Sequence, residues 1–178
     1  AQAVIITSPT YEGVVSEVRE IVSYLHEMKI PLIVDEAHGA HFEFSDEFPE
    51  SAVKAGADIV INSIHKTLPA LTQTALLHIS GNYVDYDKVE RFWNIYQTTS
   101  PSYILMASID RCMRIIEEQG DYIFKEYIKL NPDTKLLIVG EGEDEEKLKS
   151  KADEYGISEK VIFTGARADI NRLLQAMD

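Results

Sequence analysis

Leu32-Ile33-Val34-Asp35-Glu36-Ala37-His38 and, further on, Ser63-Ile64-His65-Lys66-Thr67 decide how this chain is read. The first stretch is an apolar run that ends on an aspartate. The second follows another apolar run, Ile59-Val60-Ile61-Asn62, and sets a lysine one short loop beyond it. Short apolar runs bounded by polar residues read as buried strands. Asp35 and Lys66 are 31 residues apart, which leaves room for one crossover helix between neighbouring parallel strands. Both then fall at carboxyl ends of strands, where open parallel sheets bind their ligands.

Outward from this pair, strands are expected at about 3–7, 31–35, 58–62, 74–79, 135–140 and 160–164. Helical patterns lie between most of them. Val14, Val18, Ile21, Val22 and Leu25 recur at three and four residues and give one apolar face. Val89, Phe92, Trp93 and Tyr96 do the same, as do Ile104, Leu105, Ala107, Ile109 and Met113. Leu148, Ala152 and Tyr155 follow an acidic start at Glu143 to Glu146, and Ile170, Leu173, Leu174 and Met177 predict a last helix. Gly120 interrupts a long helical pattern, as a kink or a seam. Strands alternating with helices predict an α/β fold with a mostly parallel sheet. Strand 58–62 reaches 74–79 without a helix between them, so that last strand is expected to run antiparallel at an edge.

Composition sets bounds. The chain has 178 residues, 45% apolar and 26% charged, with a formal net charge of −13. Such an acidic chain argues against nucleic acid or an anionic membrane as partner, since both need a positive face. No apolar run approaches the roughly 20 residues of a membrane span. The one cysteine, Cys112, excludes a disulfide framework, reads as a small buried hydrophobe and suits the cytoplasm. No metal site is expected. The chain opens in a strand with no initiator methionine, which reads as a piece of something longer.

A lysine and a carboxylate at adjacent strand ends are what pyridoxal-phosphate chemistry requires. The amine joins the cofactor aldehyde, and the carboxylate keeps the pyridine nitrogen protonated so that the ring accepts electrons. Several segments in order resemble the Orn/Lys/Arg decarboxylases: Ser8-Pro9-Thr10-Tyr11-Glu12-Gly13-Val14-Val15, Val34 to Phe42, Ala55-Gly56-Ala57-Asp58, Ser63 to Leu68, Leu71-Thr72-Gln73, His78, and Gln97 to Tyr103. The resemblance covers about residues 1–128 and implies the cofactor-binding domain of a fold-type-I enzyme. It implies Lys66 as the Schiff-base lysine and Asp35 as the partner of the pyridine nitrogen. Ala37 would pack on the ring, His38 would sit near a ring substituent, and Ser63 and His65 would approach the phosphate or the lysine. Gln73, Thr98 and Tyr103 match the family more weakly.

The resemblance also implies that the main phosphate-binding helix terminus lies upstream of Ala1. After residue 128 the pattern changes. Asn131 to Gly142, Gly156-Ile157 and Val161 to Arg167 resemble the nucleotide-sugar domain of group-1 glycosyltransferases, with Gly140-Glu141-Gly142 as the turn facing a sugar nucleotide and Arg167 near a base pocket.

The two resemblances together predict a chimera joined between Gly120 and Leu130. The expectation is a single α/β domain over 1–178, a three-layer Rossmann-like sheet in the order 160–164, 135–140, 3–7, 31–35, 58–62, 74–79. Its expected function is that of an engineered scaffold without native turnover. It would retain a vestigial pyridoxal-phosphate site, hold no cofactor tightly, and exist as a monomer or weak homodimer. The alternatives are a pyridoxal-phosphate-dependent decarboxylase of basic amino acids and a sugar-nucleotide-binding module.

Overall fold

A computed structural model describes residues 2–130, 135–169 and 172. The chain divides into two compact units, residues 1–126 and 127–178.

The first unit is built on β1 (Val4–Thr7), α1 (Val18–Glu27), β2 (Leu32–Asp35), α2 (Ala52–Ala55), β3 (Ile59–Asn62), α3 (Ile64–Thr67), β4 (Leu76–Ile79), α4 (Tyr86–Tyr96) and most of α5 (Tyr103–Leu130). Its sheet has the order β1-β2-β3-β4, with β1, β2 and β3 parallel and β4 antiparallel, as the sequence pattern predicts. The register aligns Ile6 with Val34 and Val34 with Val60, so one row of side chains crosses the sheet.

That row makes the core. Leu32 and Val34 are fully buried, and Val60 nearly so, against Val18, Val22 and Leu25 of α1 and Ala52 and Ala55 of α2. The spacing of Val18, Val22 and Leu25 gives α1 a single apolar stripe, which the strands cover. Ser51 caps α2, its hydroxyl accepting from the Lys54 amide at 3.2 Å. Gly56, at φ +95°, ends the helix and turns the chain into β3. A second cluster joins Ile64 and Leu68 to Cys112, Ile116 and Phe124 of α5, and Phe44 and Phe48 pack against it.

The expected helix over Val14 to Leu25 begins later, at Val18. Val14 lies in a turn instead, where its carbonyl accepts from Thr10 and its side chain is exposed. Gly120 does not end α5, which runs on to Leu130. It is buried there, and a β-carbon would meet Ile116 Cγ2 at 3.2 Å.

In the second unit β5 (Leu136–Ile138) and β6 (Val161–Phe163) pair in parallel across α6 (Glu145–Glu154). Among the described residues the strands make two sheets rather than the single six-stranded one expected. The ladder of β5 is taken up by β6 and extended by a bridge between Gly140 and Gly165, whose amide-to-carbonyl distance is 3.0 Å. The helix expected around Ile170 to Met177 lies outside the described residues. No described helix is long and apolar enough to cross a membrane.

Candidate functional site

The carboxyl ends of β1, β2 and β3 lie side by side. Thr7 is in register with Asp35, and Asp35 with Ile61. The Ser8 amide donates to the Asp35 carbonyl at 3.1 Å and the Glu36 amide to the Ile61 carbonyl at 2.9 Å, so the ladder runs one residue past the strands. Parallel ladders leave the chain nowhere to turn except outward, and each strand releases its loop at the same edge. Asp35 therefore emerges on the strand next to the one that leads into Ser63 and Lys66.

Asp35 is half-buried, and one carboxylate oxygen accepts from the Ala37 amide at 3.1 Å. This Asx-type contact holds the carboxylate at the strand end. Among the described residues the other oxygen has no hydrogen-bond partner. Lys66 lies in the short helix α3, its amide bonded to the Ser63 carbonyl at 3.1 Å and its side chain exposed with no ion pair among the described residues. His65 Nδ1 is 2.7 Å from the Thr74 carbonyl. A carbonyl only accepts, so Nδ1 is the donor in this bond. The His38 ring meets Tyr11 edge-on at 5.6 Å, joining the loop after β1 to the loop after β2.

Other residues singled out in the sequence sit apart from this edge or carry other contacts. Gln73 takes a left-handed φ of +78° in the turn before β4. The Thr98 hydroxyl accepts from the Ser100 amide, and Tyr103 is exposed at the start of α5. In the second unit Arg167 forms a two-pronged pair with Asp169 at 2.8 and 2.6 Å, which occupies its guanidinium. The described residues contain no cluster of three or more metal-ligating side chains.

Glu36 carries a role the sequence reading missed. It is 3% exposed. Its carboxylate accepts from the Ala52 amide at 2.7 Å and from Asn62 Nδ2 at 3.0 Å, and Asn62 Nδ2 also reaches the Glu36 carbonyl at 3.1 Å. Burial pushes its carboxyl above the usual range, against these two donors. The signal lay in strand alternation: of two consecutive acids at a strand end, one faces the core side and must find donors there. A cavity of about 140 Å³ adjoins it, walled by Glu43, Ser51, His78 and apolar side chains. Burial holds the His78 imidazole below its ordinary pKa.

In this α/β sheet Asp35 ends one strand, and the strand beside it leads into Lys66, whose amine has no ion pair among the described residues. The family described as Orn/Lys/Arg decarboxylase, major domain, matches residues 1–164, and the chain belongs to it. It is 46% identical over 124 residues to the uncharacterized protein YaaO of Bacillus subtilis, covering 67% of this chain and 26% of that protein. It is 38% identical over 135 residues to an arginine decarboxylase of the same organism, covering 76% and 28%. Among solved structures, Escherichia coli constitutive lysine decarboxylase superposes with a TM-score of 0.55 at 26% identity, over 70% of this chain and 18% of that one. The chain thus spans between a quarter and three tenths of the length of these two curated relatives.

These findings overturn the expected engineered scaffold. Relatives named as arginine decarboxylases and a family match that runs past residue 128 mark a native decarboxylase-like protein. For the glycosyltransferase resemblance, the comparisons offer only 33% identity over 52 residues with the Vi polysaccharide biosynthesis protein VipC/TviE of Salmonella typhi, covering 9% of that protein.

Proposed function

We propose that this chain carries the lysine and carboxylate part of the pyridoxal-phosphate site in a decarboxylase of basic amino acids. The observation that carries the reading is the register of β2 with β3, which sets Asp35 beside the strand leading to Lys66. The donor set suits the group: a carboxylate oxygen and an amine, both without partners among the described residues. When bound, pyridoxal phosphate supplies an aldehyde and an electron-accepting ring.

On this reading the exposed Lys66 amine is the nucleophile toward the aldehyde. Asp35, its orientation fixed by the Ala37 amide, would hold the proton on the pyridine nitrogen. Ala37 would pack on the ring, and His38, in edge-on contact with Tyr11, would border a ring substituent. His65, held by its Nδ1 bond to the Thr74 carbonyl, would approach the lysine or phosphate through its other ring nitrogen. Ser63, at the start of α3, has a hydroxyl that caps nothing and is available as a donor.

The test is an absorbance titration of the chain with pyridoxal phosphate, followed by borohydride reduction and peptide mass mapping. A saturable yellow band that Lys66→Ala abolishes, with the label on Lys66, is the expected result. A band equally strong in Lys66→Ala sinks the assignment. Release of carbon dioxide from arginine, lysine or ornithine then identifies the substrate.

For residues 129–178 we keep the similarity to a glycosyltransferase strand–helix–strand element, supported by the parallel β5–α6–β6 arrangement. Thermal stabilisation by a uridine-diphosphate sugar tests it. The single cysteine supports a cytoplasmic location.

A further inference from the structure

β2 and β3 are fastened at both ends by buried side chains. At the amino ends Asp58 is fully buried, and its Oδ2 accepts from the Leu32 amide at 2.8 Å. At the carboxyl ends Asn62 and Glu36, 5% and 3% exposed, are joined by the two Nδ2 bonds to the Glu36 carboxylate and carbonyl. The second fastening sits one residue from Asp35 and four from Lys66. It is rigidly backed. The Ala52 amide holds the far oxygen of Glu36, and the turn after it closes by Gly39 donating to the Glu36 carbonyl at 3.0 Å. Gly39 itself is packed so closely that a β-carbon there would meet Glu36, Pro9 and Phe42 within 3.0 Å.

From this we infer that Glu36 and Asn62 are positioning residues: their clasp sets the separation between Asp35 and the Lys66 loop, and so tunes the cofactor edge without touching the cofactor. The inference rests on the cofactor reading above. Strand ladders alone allow the two loops to diverge beyond the last paired residues. A bond from a side chain on β3 to both the backbone and the side chain following Asp35 removes that freedom. Hydrogen bonds to a buried carboxylate are the stronger kind, and fixing two reacting groups relative to each other is what they contribute here.

The test compares lesions at the two ends of the same strand pair. Asn62→Leu removes the carboxyl-end clasp, and His26→Ala weakens the amino-end one by stripping Asp58 of its ring partner. Each chain is titrated with pyridoxal phosphate below its melting temperature, and the label on Lys66 is mapped after borohydride reduction. In Asn62→Leu the titration midpoint is expected to rise about tenfold and the label to spread to other lysines, as befits loss of hydrogen bonds to a charged group. In His26→Ala, with at least as large a fall in melting temperature, the midpoint stays within about twofold, since distant sites act independently. Equal effects of the two lesions, or an unchanged midpoint and label in Asn62→Leu, overturn the inference. Should Asn62→Leu fail to fold, Glu36→Gln, which keeps one acceptor, is judged by the same criterion. Absence of any Lys66-dependent band in the unaltered chain overturns the cofactor reading itself, an outcome distinct from both.

Discussion

His26 Nε2 lies 2.9 Å from Oδ2 of Asp58, whose carboxylate is fully buried while the histidine side chain stays 25% exposed. The pair ties α1 to the start of β3, and Tyr83 lies over the imidazole at 4.4 Å between ring centres. The other carboxylate oxygen has no hydrogen-bond partner among the described residues. Removing the histidine leaves the fully buried Asp58 side chain with one backbone amide as donor. His26→Ala is expected to cost about 1–3 kcal/mol, the penalty for a buried polar group that loses a partner. Asp58→Asn placed on top of it should add less than it costs alone, because the two changes remove the same bond. A double-mutant cycle by urea unfolding checks this, and simple additivity of the two losses counts against it.

Gly39 makes a steric prediction. A β-carbon there would lie 2.7 Å from Glu36 Cγ and 2.9 Å from Pro9 Cδ. Gly39→Ala is expected to destabilise by about 1–3 kcal/mol through overpacking. The thermal midpoint should fall accordingly. An unchanged midpoint would mean the turn has slack that these contacts deny.

The buried titratable groups predict opposite slopes with pH. Burial lowers the pKa of His41 and of His78 from 6.5, and nearby Glu43 partly offsets this at His78. Below 6.5 the unfolded chain binds more protons than the folded one, so the stability from neutral imidazoles is present above that pH and lost as pH falls. Burial raises the Glu36 pKa from 4.5, with Glu43 adding to it. There the folded chain binds the extra proton, so that contribution is full below 4.5 and lost as pH rises through the folded value. His41 Nδ1 also has no hydrogen-bond partner among the described residues, its ring lying edge-on to Phe42 and Phe48. His41→Phe should flatten the acid limb of a plot of melting temperature against pH between 7 and 5. Glu36→Gln should flatten the slope that begins near 4.5. An acid limb as steep in His41→Phe as in the parent would assign it to other groups.

Cys112 is fully buried against Ile64, Leu68 and Ile116, and burial pushes its thiol pKa up. Thiolate is the reacting form. Labelling by a water-soluble disulfide reagent should therefore track unfolding. Stoichiometric labelling within seconds in the native state would contradict the packing.

The strand order of the first sheet was legible because each strand carries its own signal: an unbroken apolar run, a turn at its end, and a helix or its absence before the next. The places of Asp35 and Lys66 in the fold were legible for the same reason, since a strand end locates a residue without any knowledge of contacts. Glu36 and Asn62 were not, because their importance lies in a partner 26 positions away that only the register brings opposite. The sheet boundary was equally hidden. Apolar runs at 135–140 and 160–164 announce strands but not which ladder they join, and Leu136 and Ile162 remain largely exposed in theirs. Reading those runs as neighbours of β1 went beyond what periodicity carries. The inferred engineered origin failed for another reason: a change of resemblance along a chain is a statement about likeness, and a family profile that spans the change outweighs it.

α4 contains no buried residue, and among its exposed side chains is Trp93, the one tryptophan in the chain. The fluorescence of this protein thus originates outside the two cores that hold the first unit together. Its emission is a poor thermometer of folding and a direct witness to α4: a shift to shorter wavelength on mixing with any candidate partner would mark that helix as the surface being covered, with no label needed.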